Sequence, residues 1–459
     1  MKKLVLAFAV IVFSLQCAAK APKYVFFFIG DGMGANIVNY TQLYKASVNG
    51  QHGMAPLAFT EFPVVSFAST WSANSRVTDS AASGTALATG VKTNNAMISV
   101  EPDGTRLETV AELAKSQGRK VAVVTTVGVN HATPAVFSAH QPSRKNLDQI
   151  FQDQIAEGFD FYGGSKVLKS SKNKVHGLDP MAEYAKAGYT VVRSREEFKE
   201  KSADASKIAF IPDKKHPVTL AIDRTEGCTT LSDMVSSSIE FLMQGGCKKG
   251  FFIMAEGGEI DHGTHGNDAA SAVREILDLE DAVKIALEFY KKHPGETAII
   301  VTSDHDTGGC SILAGKSNPT NLQWQKQSAG KITSDLRVLM KDHILSWEET
   351  KDFLSERTGL WTNVNVTPED EAELRAIYDE TVAKSLSGDV TDEYKYNSHA
   401  VIVAKAKEIL NKYSGIVWTT RGHSAAFVPF YYIGPHTELF SGMMDNALIG
   451  RRVKDLLKK

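Results

Sequence analysis

The chain has 459 residues, 43% of them hydrophobic and 23% charged, which excludes a disordered polymer and a protein with several membrane spans. Fifty-one Lys and Arg balance 53 Asp and Glu to a formal net charge of −2, with no basic run long enough to neutralise a row of phosphates, so nucleic-acid wrapping is disfavoured. Thirteen His and four Cys, none in a C-x-x-C pair, argue against a thiolate zinc finger or a disulfide scaffold and leave room for a site of imidazole and carboxylate.

Lys2 and Lys3 precede the apolar run Leu4 to Leu15, interrupted only by Ser14, and Cys17-Ala18-Ala19 suits a signal peptidase cut after Ala19. Residues 1–19 therefore read as an export signal, too short for a membrane span, and residues 20–459 as the mature chain, periplasmic or secreted. Lipid anchoring through Cys17 is the lesser reading, because Gln16 replaces the small residue such sites prefer.

From Lys20 onward, strand-length apolar runs alternate with amphipathic helical segments, the signature of an α/β fold around a mostly parallel sheet. The first run, Tyr24–Ile29, opens into Gly30-Asp31-Gly32-Met33-Gly34 and presents a carboxylate at the strand's C-terminal end, where open α/β sheets bind ligands. A helix cap is the competing role for Asp31. Val77 to Gly90 contains Asp79-Ser80 followed by small residues, which let an anion approach the start of a helix. Ser80 is thus a candidate nucleophile, with a plain N-cap as its alternative; no Gly-x-Ser-x-Gly elbow surrounds it, so a metal is the more natural activator.

Val121–Thr126 is the next clear strand. Between Cys228 and Cys247, Leu231–Gln244 reads as a helix about 20 Å long, which keeps those two thiols beyond disulfide reach. Phe251–Ala255 leads into Glu256, Asp261 and His265; Ala298–Thr302 leads into Asp304-His305, Asp306 and Gly308-Gly309. Between Cys310 and Thr420 the pattern turns helical without convincing strands. Ser346 and Glu349 form a capping box for Trp347–Arg357, Thr367-Pro368 caps a second helix, and Ala400–Tyr413 is a third, stopped by Gly415. Residues 311–420 are expected to form a helical insertion that overhangs the active site or joins a subunit contact, a surface excursion being the alternative. His423 and the strand Phe430–Ile433 resume the sheet pattern. Carboxylate and imidazole recur at successive strand ends, a mixed set that suits Zn²⁺ better than turn chemistry.

These motifs, in this order from residue 24 to about 435, resemble those of the alkaline phosphatases, the Asp79-Ser80-Ala81-Ala82-Ser83-Gly84 block being the most diagnostic. The resemblance implies a sandwich with a central, mostly parallel sheet flanked by helices, and hydrolysis of phosphate monoesters through a phosphoserine on Ser80. It implies one zinc held by Asp261, His265 and His423, a second by Asp31, Asp304 and His305, and a third metal, usually magnesium, by Asp31, Thr133 and Glu256. Arg144 would grip the phosphoryl group through its guanidinium fork. His131 and His262 stand where some relatives carry Asp and Lys; they are read as hydrogen-bonding around the metals rather than ligating them, and they put the third metal's identity in question. Partners are small phosphate monoesters, with a homodimer as the candidate assembly. A phosphodiesterase or sulfatase of the same superfamily and a noncatalytic secreted phosphate- or metal-binding protein are the alternatives.

Overall fold

The computed structural model describes residues 20–169, 179–315, 318–341, 343–387 and 392–459; the export signal and Cys17 lie outside them. In chain order the strands are β1 (Tyr24–Gly30), β2 (Val64–Ser69), β3 (Lys120–Thr125), β4 (Phe161–Gly163), β5 (Tyr189–Val192), β6 (Lys207–Phe210), β7 (Phe251–Gly257), β8 (Thr297–Thr302), β9 (Asp306–Thr307), β10 (Cys310–Ile312), β11 (Ile416–Trp418), β12 (His423–Ser424), β13 (Val428–Ile433) and β14 (Met444–Asp445). Ten form one sheet in the order β14-β2-β13-β8-β1-β7-β3-β4-β6-β5, parallel except for β13, which runs antiparallel to both β2 and β8. The fold is the α/β sandwich expected from the alternating pattern.

Strand β1 shows why. Its seven residues are all buried, as a strand covered on both faces requires. Tyr24, Phe26 and Phe28 enter one apolar layer with the helices Ala35–Val48, Leu231–Met243 and Ala269–Lys292. Val25, Phe27 and Ile29 enter the other, with the helices Ser80–Thr89, Val110–Ser116 and Asn446–Lys458. Register then fixes what lies at the strand ends: Ile29 pairs with Glu256 and with Thr302, and Glu256 also pairs with Thr125. The chain segments beginning at Asp31, Glu256 and Ser303 therefore leave the sheet at one level of one edge.

The insertion contains the helices Trp347–Thr358, Pro368–Ser387 and Asp392–Ser414, the first with its capping box and the last ended by Gly415 at φ 81°. Strands do occur at its two ends, contrary to expectation: β10 and β11 pair antiparallel, Cys310 opposite Trp418 and Ile312 opposite Ile416. Three residues show no periodicity, and their partner lies about a hundred residues away, so only the tertiary fold reveals them. Cys228, Cys247 and Cys310 are all free thiols.

The C-terminal helix Asn446–Lys458 packs on the helix Ser80–Thr89 through Gly450, where a Cβ would lie 2.4 Å from the Ala86 carbonyl oxygen and 2.7 Å from the Gly90 nitrogen. Both obstacles are backbone. Gly450→Ala should therefore cost about 1–3 kcal/mol of stability, read as a lowered urea midpoint with unchanged slope.

Candidate active site and metal centre

Asp31, Glu256, Asp304 and His305 are fully buried at the common edge of β1, β7 and β8. Asp31 does not cap a helix: the following helix starts after Gly34, which makes no side-chain cap bond. Three groups of side chains have ligand atoms all within 4.8 Å of one another: Asp261, His265 and His423; Asp31, Asp304 and His305; and Asp31, His131 and Glu256. Thr133 joins the last group through its hydroxyl, 3.3 Å from Asp31 Oδ2. Asp31 Oδ1, Asp304 Oδ2, Glu256 Oε1 and His131 Nδ1 are buried without any hydrogen-bond partner, a combination that costs free energy unless something else meets them.

Hydrogen bonds on the far side of each ring orient the imidazoles. His265 Nδ1 donates to the Arg421 carbonyl at 2.5 Å and His423 Nδ1 to the Thr78 carbonyl at 2.9 Å, leaving both Nε2 lone pairs free. Those two Nε2 atoms lie 3.2 Å apart, and His265 Nε2 lies 3.3 Å from Asp261 Oδ2. Thr307 spends its only hydroxyl hydrogen on Asp261 Oδ1, at 2.6 Å, and so accepts from His305 Nδ1 at 3.1 Å. His305 Nε2 consequently points its lone pair at Asp31 Oδ1 (3.4 Å), Asp304 Oδ2 (3.3 Å) and Ser80 Oγ (3.2 Å). Converging acceptors of this kind suit cations, so the donor set fits metal ions in both places.

Ser80 is the first residue of the helix Ser80–Thr89 and is 2% exposed. The N-cap is Asp79, whose carboxylate accepts from Ala82 N at 3.0 Å, leaving the Ser80 hydroxyl free of that duty. Asp79 also accepts from Ala96 N and from Arg144 Nη1 at 3.2 Å, while Arg144 Nη2 lies 3.1 Å from His131 Nε2. The guanidinium is thus held from behind. His262 takes no part in the three groups; its side chain is 55% exposed and donates from Nδ1 to Glu259 at 2.6 Å. The sequence pattern does not reveal Asp79 as the anchor of Arg144, Thr307 as the hydroxyl between Asp261 and His305, or Thr125, whose hydroxyl donates to Glu256 Oε2. Asp79 carried a signal inside the Asp-Ser block; the threonines carried none.

Burial, followed by repulsion from Asp304, Asp261 and Glu256, holds the Asp31 carboxyl well above the usual carboxylate range. Burial raises Glu256 to about 8 against the hydrogen bond from Thr125, and raises Asp304 to about 7 with help from the Asp261 charge. Asp261, although buried, is held well below its ordinary value by its contacts with His265 and by His305. Burial lowers His131 to about 3 and His305 to about 4, so both rings are neutral and able to accept.

These shifts make the metal-free protein's stability depend on pH with a definite sign. A carboxyl whose folded pKa is raised stabilises below its unfolded pKa, and that contribution is lost as pH rises through the folded value. The depressed histidines act oppositely, but only below their ordinary 6.5. In chelator, stability should therefore fall between pH 6.5 and 8 as Asp304 and Glu256 ionise. Urea titrations across that range should show the fall, and Glu256→Gln should reduce it, leaving the part that Asp304 and the buried Glu275, also raised to about 8, contribute.

The chain resembles known proteins over nearly its whole length. A family model described as alkaline phosphatase matches residues 22–459. Alkaline phosphatase 4 of Bacillus subtilis is 35% identical over 430 residues, covering 91% of this chain and 85% of the relative. Among solved structures, the cold-active alkaline phosphatase of a psychrophilic Shewanella superposes with a TM-score of 0.77 at 26% identity, covering 95% of this chain and all of the other. A histidine-to-aspartate variant of TAB5 alkaline phosphatase, described with Mg bound in its M3 site, gives 0.66 at 25% identity over 96% and 99% of the two chains. Since the match of family model, sequence and fold runs from β1 to the last helix, this chain belongs to the alkaline phosphatase family and is a phosphoric monoester hydrolase.

Proposed function

We propose that Ser80 is the nucleophile, that Arg144 grips the phosphoryl group, and that the three side-chain groups hold two zinc ions and one magnesium ion. The observation that carries this reading is the position of Ser80 Oγ, 3.2 Å from His305 Nε2 and beside the unpartnered oxygens of Asp31 and Asp304. Zinc at Asp261, His265 and His423 and at Asp31, Asp304 and His305, with magnesium at Asp31, Thr133 and Glu256, would supply positive charge that favours a serine alkoxide and a departing alcohol oxygen. The Ser80 hydroxyl proton passes to solvent as its oxygen bonds to phosphorus and the phosphorus–oxygen bond to the alcohol breaks, the alcohol oxygen taking up a proton in exchange; water then attacks phosphorus, one of its protons returns to Ser80 Oγ, and inorganic phosphate leaves. Asp79 and His131 hold the Arg144 guanidinium so that its remaining hydrogens face two nonbridging oxygens at once. The positive end of the helix Ser80–Thr89 adds to the same pull.

His131 belongs to this machinery through Arg144. Its Nε2 accepts from the guanidinium, which leaves the ring proton on Nδ1 and makes the histidine a poor third-site ligand, in keeping with its reading as a hydrogen-bonding neighbour. A carboxylate in its place would offer a hard oxygen donor to magnesium. The TAB5 variant described with Mg in its M3 site, whose substitution is also histidine to aspartate, supports that direction.

The insertion, residues 311–420, is proposed to border the metal centre. In support, Lys407 Nζ donates to the Gly266 carbonyl and Asn411 Nδ2 to the Asn267 carbonyl at 2.8 Å, immediately after His265. The export signal, with a mature N-terminus near Lys20, rests on the sequence pattern alone and is checked by N-terminal sequencing of exported protein.

Ser80→Ala should keep its metal content and fold and lose about a thousand-fold or more of its p-nitrophenyl phosphate hydrolysis; activity within a few-fold of the parent would sink the assignment. Arg144→Ala should harm the monoester far more than the bis ester, by about 1.5–3 kcal/mol per charge-assisted hydrogen bond lost. His131→Asp should raise the affinity for magnesium about ten-fold or more, seen by metal analysis after equilibration in mixed zinc and magnesium, and should raise KM because the new carboxylate competes for Arg144.

A further inference from the structure

Ser83 lies three residues after Ser80 on the same helix and is fully buried. Its hydroxyl donates to the Asp304 carbonyl at 2.5 Å and accepts from Asn446 Nδ2 at 2.7 Å. Asn446, the first residue of the C-terminal helix and 1% exposed, accepts in turn through Oδ1 from Lys92 Nζ. Lys92 Nζ also donates to the Trp71 carbonyl at 2.7 Å and lies 4.1 Å from the centre of the Trp71 ring. Every direction in this chain is forced. Lys92 donates to Asn446 Oδ1, and the Asn446 amide faces a second acceptor, the Thr70 carbonyl at 3.4 Å, so Asn446 turns its oxygen to Lys92 and its amide to Ser83; Ser83 then has one hydrogen, and it goes to Asp304.

The Asp304 carbonyl belongs to the peptide that joins Asp304 to His305, whose Oδ2 and Nε2 lie 3.3 Å apart beside Ser80. Ser83 is thus a direct tie between the nucleophile's helix and the strand-end loop opposite the nucleophile. We propose that Ser83 and Asn446 are positioning residues for phosphoryl transfer: through the Lys92–Asn446–Ser83–Asp304 chain they set the separation between Ser80 Oγ and the Asp304–His305 pair. The inference rests on the proposed role of Ser80. Two polar contacts, Ser80 Oγ to His305 Nε2 and Ser83 Oγ to the Asp304 carbonyl, span this gap, and a displacement of about 1 Å at a reacting centre can cost about a hundred-fold in rate.

Asn446→Asp is the diagnostic variant. It keeps an oxygen for Lys92 but removes the hydrogen that occupies the Ser83 lone pair, so the Ser83 hydroxyl turns to the new carboxylate and releases the Asp304 carbonyl. Ser83→Ala removes the tie outright. Each metal-loaded variant should remain folded, with kcat for p-nitrophenyl phosphate down about ten-fold, KM within two-fold, and metal lost to EDTA about ten-fold faster. The double variant should be no worse than the poorer single one, because both break one chain. Lys92→Met, at the outer end, should show the same changes at about three-fold and decides the matter if the buried variants do not fold. Folded variants with kcat or metal release within two-fold of the parent, or losses that multiply in the double variant, would overturn the proposal. Failure of the parent reading would show differently, as monoesterase activity surviving Ser80→Ala.

Discussion

Three carboxylates that repel one another are built into the end of a buried sheet. Strands β1, β7 and β8 are parallel and in register, so Asp31, Glu256 and Asp304 must emerge together, and both sheet faces are covered so that water cannot screen them. Burial, with repulsion from neighbouring carboxylates behind it, raises all three acids; protons relieve the conflict, and metal cations at the same oxygens would relieve it too. The same conflict that weakens the metal-free protein suits the edge to cations.

Around that conflict the fold spends its small polar groups on orientation. Backbone carbonyls of Arg421 and Thr78 settle the tautomers of His265 and His423, and one threonine, Thr307, serves both Asp261 and His305. The two histidines come from chain segments about 160 residues apart, yet each is aimed by a backbone group that a mutation cannot remove. The Ser80 hydroxyl is spared capping because its neighbour Asp79 takes over the cap, and Asp79 in turn anchors Arg144. The helix that carries Ser80, the proposed nucleophile, is pinned by the last helix of the chain, through the close approach at Gly450 and the polar chain through Asn446.

Much of this was legible in the residues themselves. Long, continuous apolar runs such as Tyr24–Ile29 and Phe251–Ala255 can only be strands buried on both faces, and carboxylates or histidines just beyond them mark the ligand-binding edge, so the α/β class and most of the candidate ligands followed from local pattern and from the resemblance carried by the Asp79-Ser80 block. Short strands such as β4, β10 and β11 were not legible, because three residues have no periodicity and their stability comes from partners remote in the chain.

What only the tertiary structure decided is how the polar residues divide their hydrogens. That His131 meets Arg144, that Asp79 holds Arg144 as well as capping its helix, and that Ser83 ties Asp304 to the last helix all depend on which atoms meet, some of them hundreds of residues apart in the chain. Sequence by itself determines which residue types are available and on which element they sit, since those follow from side-chain chemistry and local periodicity. The pairing of one donor with one acceptor needs angstrom-scale distances, and those exist only once the sheet, its register and the covering helices have closed around them.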